Sequence, residues 1–413
     1  MPTLLLLGGN LAQLPLARLA RSRGITIAVA DRRPAVPALM EADVAVPIST
    51  LDVEALIAWG RAHRIDGVFT AGSDRAAPVA AKVAEALGLP GLDPEAAVRA
   101  NDKVAMKEAF AAAGVPTPVS IPVRTLEEAE RAAGEIGFPV VMKPSDNAGQ
   151  RGVKLLVDLA ELRDHFPVCL RDSPAGILLV EEYADGPEVA VQTFTVRGTP
   201  HVLTITDRLT TPPPFMGITR THLYPADLTP EEWGSVEDSA RRAVDSLGLD
   251  NCPGYMQTVV TPRGPRVIEV AARLGGGRDA VIAQLVTGVD QYDLVIRAAL
   301  GETIEPEAVS PRTTHFASAC SHFLVGGPGG KVAIAEGLAD ARAMPGVVEA
   351  GIPVAVGQVM PPAIRAEARR ALVVVAGASR DDVMAKARAA LSKITVLTEE
   401  ELAQGWRPGP DEA

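Results

Sequence analysis

The chain predicts an α/β fold in three parts: an N-terminal doubly wound parallel sheet, a central two-lobed α+β domain and a C-terminal α+β subdomain. Three observations predict it. Short apolar runs of strand length alternate with helical stretches as far as residue 93. The middle of the chain carries strands that pair as hairpins around Gly- and Pro-bearing turns. A Glu305-Pro306 linker then opens a third run of strands and a helix. The expected bounds are 1–93, 94–304 and 305–413. The central domain divides into a small lobe, 119–182, and a large lobe, 183–304.

Composition narrows the function classes. With 47% hydrophobic but only 4% aromatic residues, the cores are built from Ala, Val, Leu and Ile. A net charge of −11 with no long basic stripe excludes nucleic acid as the main partner. The three cysteines show no CxxC spacing, which fits a reduced, cytoplasmic setting without disulfides or a structural zinc. The apolar start, Met1 to Leu7, is a strand; it is too short for a membrane span and lacks the basic region of a leader.

The N-terminal elements follow in order. Thr3–Leu7 reads as a buried strand, followed by the turn Gly8-Gly9-Asn10 and a helix to about Arg23. Strands Ile25–Ala30, Val44–Pro47 and Gly67–Thr70, with helices between them, complete the βαβα rhythm. Gly8-Gly9-Asn10 lacks the GxGxxG spacing and is a tight turn. Asp31, at a strand end, could contact a ribose hydroxyl or cap the next turn, the cap being the plainer reading, and Ser73-Asp74, after a strand end, is a candidate for substrate contact.

Asp93-Pro94 opens a helical stretch, and Asn101-Asp102-Lys103 starts a helix that Gly114 and the prolines at 116 and 118 stop. The small lobe reads helix Leu126–Ile136, strand Val140–Lys143, a Gly-bearing loop, strand Val153–Val157, helix Leu159–Phe166 and strand Ile177–Glu181. Residues 188–206 read as paired antiparallel strands. Thr210–Pro225, with three consecutive prolines, reads as an ordered loop or lid. Helix Glu231–Leu247 precedes the hairpin of Tyr255–Val260 and Arg266–Val270, and helices Asp279–Gly288 and Gln291–Leu300 close the domain. The third region carries strands near His315–Phe323, Val347–Glu349 and Ala371–Ala376, helix Arg380–Leu391 and a frayed end, Arg407–Ala413. Gly326-Gly327-Pro328-Gly329-Gly330 is read as a flexible turn rather than a phosphate loop.

One stretch carries most of the chemistry. An apolar strand delivers Glu269, then Arg273 four residues on, then Gly275-Gly276-Gly277, with Gln257 twelve residues before Glu269. Glu and Gln oxygens are hard ligands suited to Mg²⁺, which takes one or two carboxylates plus phosphate oxygens. Arg273 offers a planar fork matched to phosphate or carboxylate. Taken alone, the stretch is equally a buried strand ending in a Gly turn. Upstream, Lys143 ends a buried strand and is followed by a loop of small residues from Ser145 to Gly152, where backbone N–H groups can approach phosphate oxygens. Leu178 to Glu181 leads into an acidic hinge through Ala184, with Glu188 on the next strand. Such a hinge can present backbone groups to adenine, and such a carboxylate can accept from both ribose hydroxyls.

In order and spacing, these motifs together resemble the ATP-grasp ligases over residues 1 to about 300. From 305 onward the chain is similar to the C-terminal domain of the L-amino acid ligases, the dipeptide-forming branch. The resemblance implies an ADP-forming, C–N bond-forming carboxylate–amine ligase that makes an acyl phosphate from a small carboxylate and passes it to an amine. It implies ATP with one or two Mg²⁺, for which Mn²⁺ can substitute. Lys103 and Lys143 would contact the phosphates, and the loop bearing Ser145, Asn147, Gly149 and Gly152 would close over them. Glu181, Glu182, Tyr183 and Ala184 would receive adenine, and Glu188 the ribose. Gln257 and Glu269 would hold metal; Arg273 would bind the γ-phosphate and the acyl phosphate. Arg220, His222, Gly276 and Arg278 are substrate candidates, although a surface position for His222 and a helix-capping role for Arg278 are the plainer readings. Many relatives form homodimers, but no residue pattern here decides that. Where many relatives have Asn two residues after the metal-binding Glu, this chain has Ala271, which puts the second metal in question. Two other readings remain: a purine-pathway or bicarbonate-activating ligase, and a nucleotide-binding protein without turnover.

Overall fold

The computed structural model describes residues 1–34, 36–211, 217–312, 314–363 and 366–406. The N-terminal unit runs β1 (Thr3–Leu7), α1 (Leu14–Ser22), β2 (Thr26–Ala30), β3 (Val44–Val46), α2 (Val53–His63), β4 (Gly67–Phe69) and α3 (Ala77–Leu87). The strands lie in the order β3-β2-β1-β4, all parallel. Successive side chains on a strand point to opposite faces. Leu4 and Leu6 accordingly pack with α1, while Leu5 and Leu7 pack with α2 and α3. Both faces are covered, as in a doubly wound sheet. Asp31 accepts from Gly9 N at 3.0 Å and from Arg33 N at 3.0 Å, so it fastens the first turn.

Helices α4 (Pro94–Arg99) and α5 (Lys103–Ala112) lead into the small lobe. Asp102 caps α5, accepting from Val104 N at 2.8 Å. The lobe runs β5 (Ser120–Val123), α6 (Leu126–Ile136), β6 (Val140–Pro144), β7 (Lys154–Leu156), α7 (Leu159–Arg171) and β8 (Leu178–Glu182). Its sheet, β5-β8-β6-β7, is antiparallel, with α6 and α7 packed on it.

The chain continues through β9 (Glu188–Val196), β10 (Thr199–Thr210), β11 (Thr219–Tyr224), α8 (Pro230–Ser246), β12 (Pro253–Thr261), β13 (Gly264–Ala271), α9 (Asp279–Thr287) and α10 (Gln291–Ala299). The third region adds β14 (Ser318–Val325), β15 (Gly330–Glu336), α11 (Leu338–Arg342), β16 (Val347–Gly351), β17 (Val359–Met360), β18 (Arg369–Gly377), α12 (Arg380–Leu391), β19 (Thr395–Thr398) and α13 (Glu399–Gln404). Eight of these strands form one sheet, β13-β12-β9-β10-β11-β14-β18-β16, which crosses from the large lobe into the third region without a break.

The segment expected as a loop or lid is corrected in part. Residues 212–216 lie outside those described, but Thr219–Tyr224 is β11, paired with β10 on one side and β14 on the other. Pairing on both edges satisfies its backbone polar groups, which a covered loop could not do. The turn Gly326–Gly330 is also more than a flexible link. Arg370 Nε donates to Gly326 O at 2.8 Å, Thr398 Oγ1 donates to Gly329 O at 3.0 Å, and Arg370 pairs with Glu401 in full burial beneath it. The Arg407–Ala413 end lies outside the described residues. Among those described, no helix is long and apolar enough to cross a membrane.

Candidate active site

The hairpin of β12 and β13 sets the centre. Its register places Gln257 directly opposite Glu269, with a bulge between Gln257 and Thr258. A bulge re-aims the side chains next to it. Glu269 Oε2 stands 3.5 Å from Lys103 Nζ, and Gln257 Nε2 stands 3.4 Å from the Tyr255 hydroxyl. Lys103 opens α5 and also donates to Asn147 O at 3.0 Å. Lys103 thus ties the loop at Asn147 to the carboxylate of the hairpin. Among the described residues no group of three or more His, Cys, Asp or Glu could hold a metal by itself. An amide oxygen and a carboxylate on facing strands match a hard cation that takes its other ligands from phosphate and water.

On one side of this pair lies a chamber of about 130 Å³ between the lobes, lined by Lys143, Glu181 to Ala184, Glu188 and the loop at 147–150. Glu181 is buried and is shared by Lys107, at 3.0 Å, and Lys143. Burial raises its carboxyl, but the two ammonium groups outweigh that and hold it at about 2. Burial in turn lowers Lys107 to about 8 against the pull of Glu181. Lys143, expected at the phosphates, is therefore held on the hinge carboxylate. The Glu181 side chain is taken up by these two lysines, so of the groups expected at adenine it could offer only its backbone. Glu188, expected at a ribose, is ion-paired with Arg208, and Glu182 with Arg263 at 2.7 Å. Ser145 and Gly152 do not line the chamber. Ser145 is buried and its carbonyl accepts from Lys103 N at 3.0 Å, while Gly152 O meets His165 Nε2 at 3.0 Å. Both anchor the ends of the loop. Gly149, Gln150 and Gly152 have φ of 73°, 64° and 75°, a left-handed run that turns the loop over the chamber.

On the other side lies a chamber of about 480 Å³ that shares Lys103, Gln257 and Glu269 with the first. Arg273 enters it in a bidentate pair with Asp74, at 2.6 and 3.1 Å, and lies 5.2 Å over the Tyr255 ring. Burial opposes the charge of Arg273, but Asp74 more than compensates and keeps it raised. His222 is buried rather than on the surface. Its Nδ1 lies 3.0 Å from Asp279 Oδ1, and burial lowers its pKa to about 4 despite that carboxylate. Gly276 and Gly277 line the same space, and a Cβ on Gly277 would run into the His222 ring. Ala271 is part of the wall and offers no side-chain oxygen. Arg220 lines neither chamber. Arg278, at φ 65° before α9, pairs with Glu349 at 2.7 Å.

Residues not singled out in the sequence border these chambers: Arg208, Tyr255, Glu367 and Arg369 line the larger one, while Lys107 pairs with Glu181 and Asp279 with His222. Lys107 sits one helical turn after Lys103, so the i, i+4 spacing could have found it. The others come together only when distant strands pair.

Residues 102–307 match the family model for the carbamoyl-phosphate synthase L chain, ATP binding domain. Residues 322–399 match the L-amino acid ligase C-terminal domain 2. An uncharacterized protein, y4rH, of Sinorhizobium fredii (strain NBRC 101917 / NGR234) is 34% identical over 312 residues, covering 73% of this chain and 63% of that protein. Alanine–anticapsin ligase of Bacillus subtilis (strain 168) is 30% identical over 268 residues, covering 59% of this chain and 56% of the ligase. The chain thus spans less than two thirds of the length of these relatives. The crystal structure of L-amino acid ligase from Bacillus licheniformis superposes with a TM-score of 0.83 at 23% identity, over 97% of this chain and 99% of that one.

Proposed function

We propose, from the premise that this chain belongs to the ATP-grasp carboxylate–amine ligase family, that it activates an amino acid carboxylate with ATP and joins it to the amine of a second small molecule. The observation that carries this reading is the junction at Gln257 and Glu269. A narrow cleft between the lobes and a cationic chamber meet there, with Lys103 beside them.

A carboxylate acylates poorly because oxide is a poor leaving group. In the first step its oxygen attacks the γ-phosphorus, the bond to the β–γ bridging oxygen breaks, and ADP leaves. In the second, the amine nitrogen attacks the acyl carbon, the C–O bond to phosphate breaks, and phosphate leaves with a proton. The chain's part is positioning and charge neutralisation. Lys103 and Arg273 face the growing negative charge, Asp74 orients Arg273, and Tyr255 supports its guanidinium. Magnesium held by Gln257 and Glu269 with the nucleotide would supply further neutralisation of the phosphates. Water has to be kept from the acyl phosphate. The loop at 147–150 roofs both chambers, and Arg151 reaches Glu367 of the third region at 3.8 Å to close it.

The reading sets the protein in the cytoplasm, where ATP is available and the buried free thiols of Cys169, Cys252 and Cys320 stay reduced. It favours amino acids over ribosylamines or bicarbonate because the third region matches the L-amino acid ligase domain. The test is ADP release across a panel of amino acids, singly and in pairs. Release that requires two amino acids and yields an amide by mass spectrometry supports the reading. Release driven by bicarbonate or a ribosylamine defeats it, as does ATP binding without release.

A further inference from the structure

The chamber below Arg273 opens into another, of about 620 Å³, between the N-terminal turn, the segment Gly276–Arg278 and the third region. Asn10, Ala12, Gly276, Glu367 and Arg369 line both, so the two spaces are continuous. Val36, Pro37, Ile352, Val354 and Leu372 give the outer one an apolar wall. Three arginines reach it. Arg33 is matched by Asp31 at 2.7 Å and Arg278 by Glu349 at 2.7 Å. Arg369 has no carboxylate at ion-pair distance among the described residues. Its Nε and Nη2 donate to Thr219 O at 3.3 and 3.1 Å, and it stacks 4.1 Å over the Phe323 ring. Glu367 stands at the same junction but is engaged by Arg151 at 3.8 Å.

Burial, with Arg208 nearby, lowers the Arg369 guanidinium to about 10. A partly buried cation with no carboxylate at ion-pair distance among the described residues, compensated only from farther off by Asp279 and Glu367, stands at the neck between a reaction chamber and an apolar one and has the character of an anion site. Arginine's planar fork suits a carboxylate. The apolar wall beyond it suits a hydrocarbon side chain.

We propose that Arg369 binds the carboxylate of the amine-donating substrate, and that the outer chamber takes that substrate's apolar side chain. This rests on the ligase reading above. The acceptor is then an α-amino acid with an apolar side chain, and the product amide keeps a free carboxylate. The carboxylate and amine of such a molecule share one carbon. Fixing the first at Arg369 therefore aims the second at the acyl carbon held by Arg273.

The experiment compares L-leucine and L-phenylalanine with their carboxamides as acceptors, and with hydroxylamine, for the wild type, Arg369→Gln and Arg369→Lys. Hydroxylamine traps the acyl phosphate as a hydroxamate without a carboxylate to bind. The expected result is wild-type preference for the free acids. Arg369→Gln should lower kcat/KM for them by ~10–100-fold, the scale of a hydrogen bond to a charged group. The carboxamides and hydroxylamine should be unaffected, with partial recovery in Arg369→Lys. Equal use of acid and carboxamide by the wild type overturns the proposal. So does a loss in Arg369→Gln that falls on all acceptors alike, or on none. If no amino acid gives a hydroxamate with the wild type, the ligase reading itself fails and takes this inference with it.

Discussion

Arg273 and Asp74 form a two-pronged ion pair, Nε to Oδ1 at 2.6 Å and Nη2 to Oδ2 at 3.1 Å, that ties the end of the central hairpin to the N-terminal unit. The two residues lie 199 positions apart in the chain. Burial alone would raise the Asp74 carboxyl, but Arg273 reverses the direction and keeps it ionised. The pair gives the arginine a fixed orientation on the wall of the larger chamber, where the proposed reaction would develop phosphate charge. A double-mutant cycle of Asp74→Asn and Arg273→Gln, read by urea unfolding, is expected to show a coupling of about 1–3 kcal/mol. Strict additivity would show that the pair does not form in solution.

Glu269→Ala and Arg273→Ala are each expected to lower turnover at least ~100-fold, the scale of losing one charge-stabilising group. The fold should survive in both, because neither side chain belongs to a hydrophobic cluster. A coupled ADP assay beside circular dichroism checks this. Near-normal turnover in either variant removes that residue from the site.

Glu181 lies between Lys107 and Lys143, with little of any of the three exposed. Glu181→Gln leaves two ammonium groups buried together and is expected to cost about 3–5 kcal/mol. The pH dependence has a definite sign. The folded carboxyl, at about 2, lies below its ordinary value of 4.5. The folded state therefore binds fewer protons, and the stabilisation is complete above 4.5 and lost as pH falls toward 2. Unfolding curves between pH 5 and 2 should show this acid slope in the wild type and a reduced one in Glu181→Gln.

His222 has a folded pKa of about 4 against an ordinary 6.5, because its ring is buried. The imidazole is expected to stay neutral at pH 6 to 8, with Nδ1–H donating to Asp279. Folding is favoured in full above pH 6.5, and this contribution is lost as pH falls through 4. Side-chain NMR of labelled histidine should show no titration of His222 near 6.5. A midpoint there would place the ring in water.

The elements that carry the proposed nucleotide residues were legible in the chain because their signals are local. Asp102 and Lys103 mark a helix start, Lys143 a strand end, and Glu269, Arg273 and the glycines one short run. β11 was hidden because prolines lie just before it and because Arg220 and His222 interrupt its apolar pattern. Pairing with β10 and β14 overrides that local signal. The ion pairs made by Lys143, Glu188 and Arg273 depend on partners far away in the chain, so spacing could not reveal them. Arg369 carries no local signal at all. It becomes legible only once β18 joins β14 in the long sheet.

In the proposed reaction, Gln257 and Glu269 join a nucleotide cleft to a carboxylate-activating chamber. Calorimetric titration with a non-hydrolysable ATP analogue, with and without Mg²⁺, tests it most directly. Saturable one-to-one uptake by the wild type, dependent on magnesium and lost in Glu269→Ala, is expected. Absence of uptake, or uptake indifferent both to magnesium and to Glu269, would contradict it.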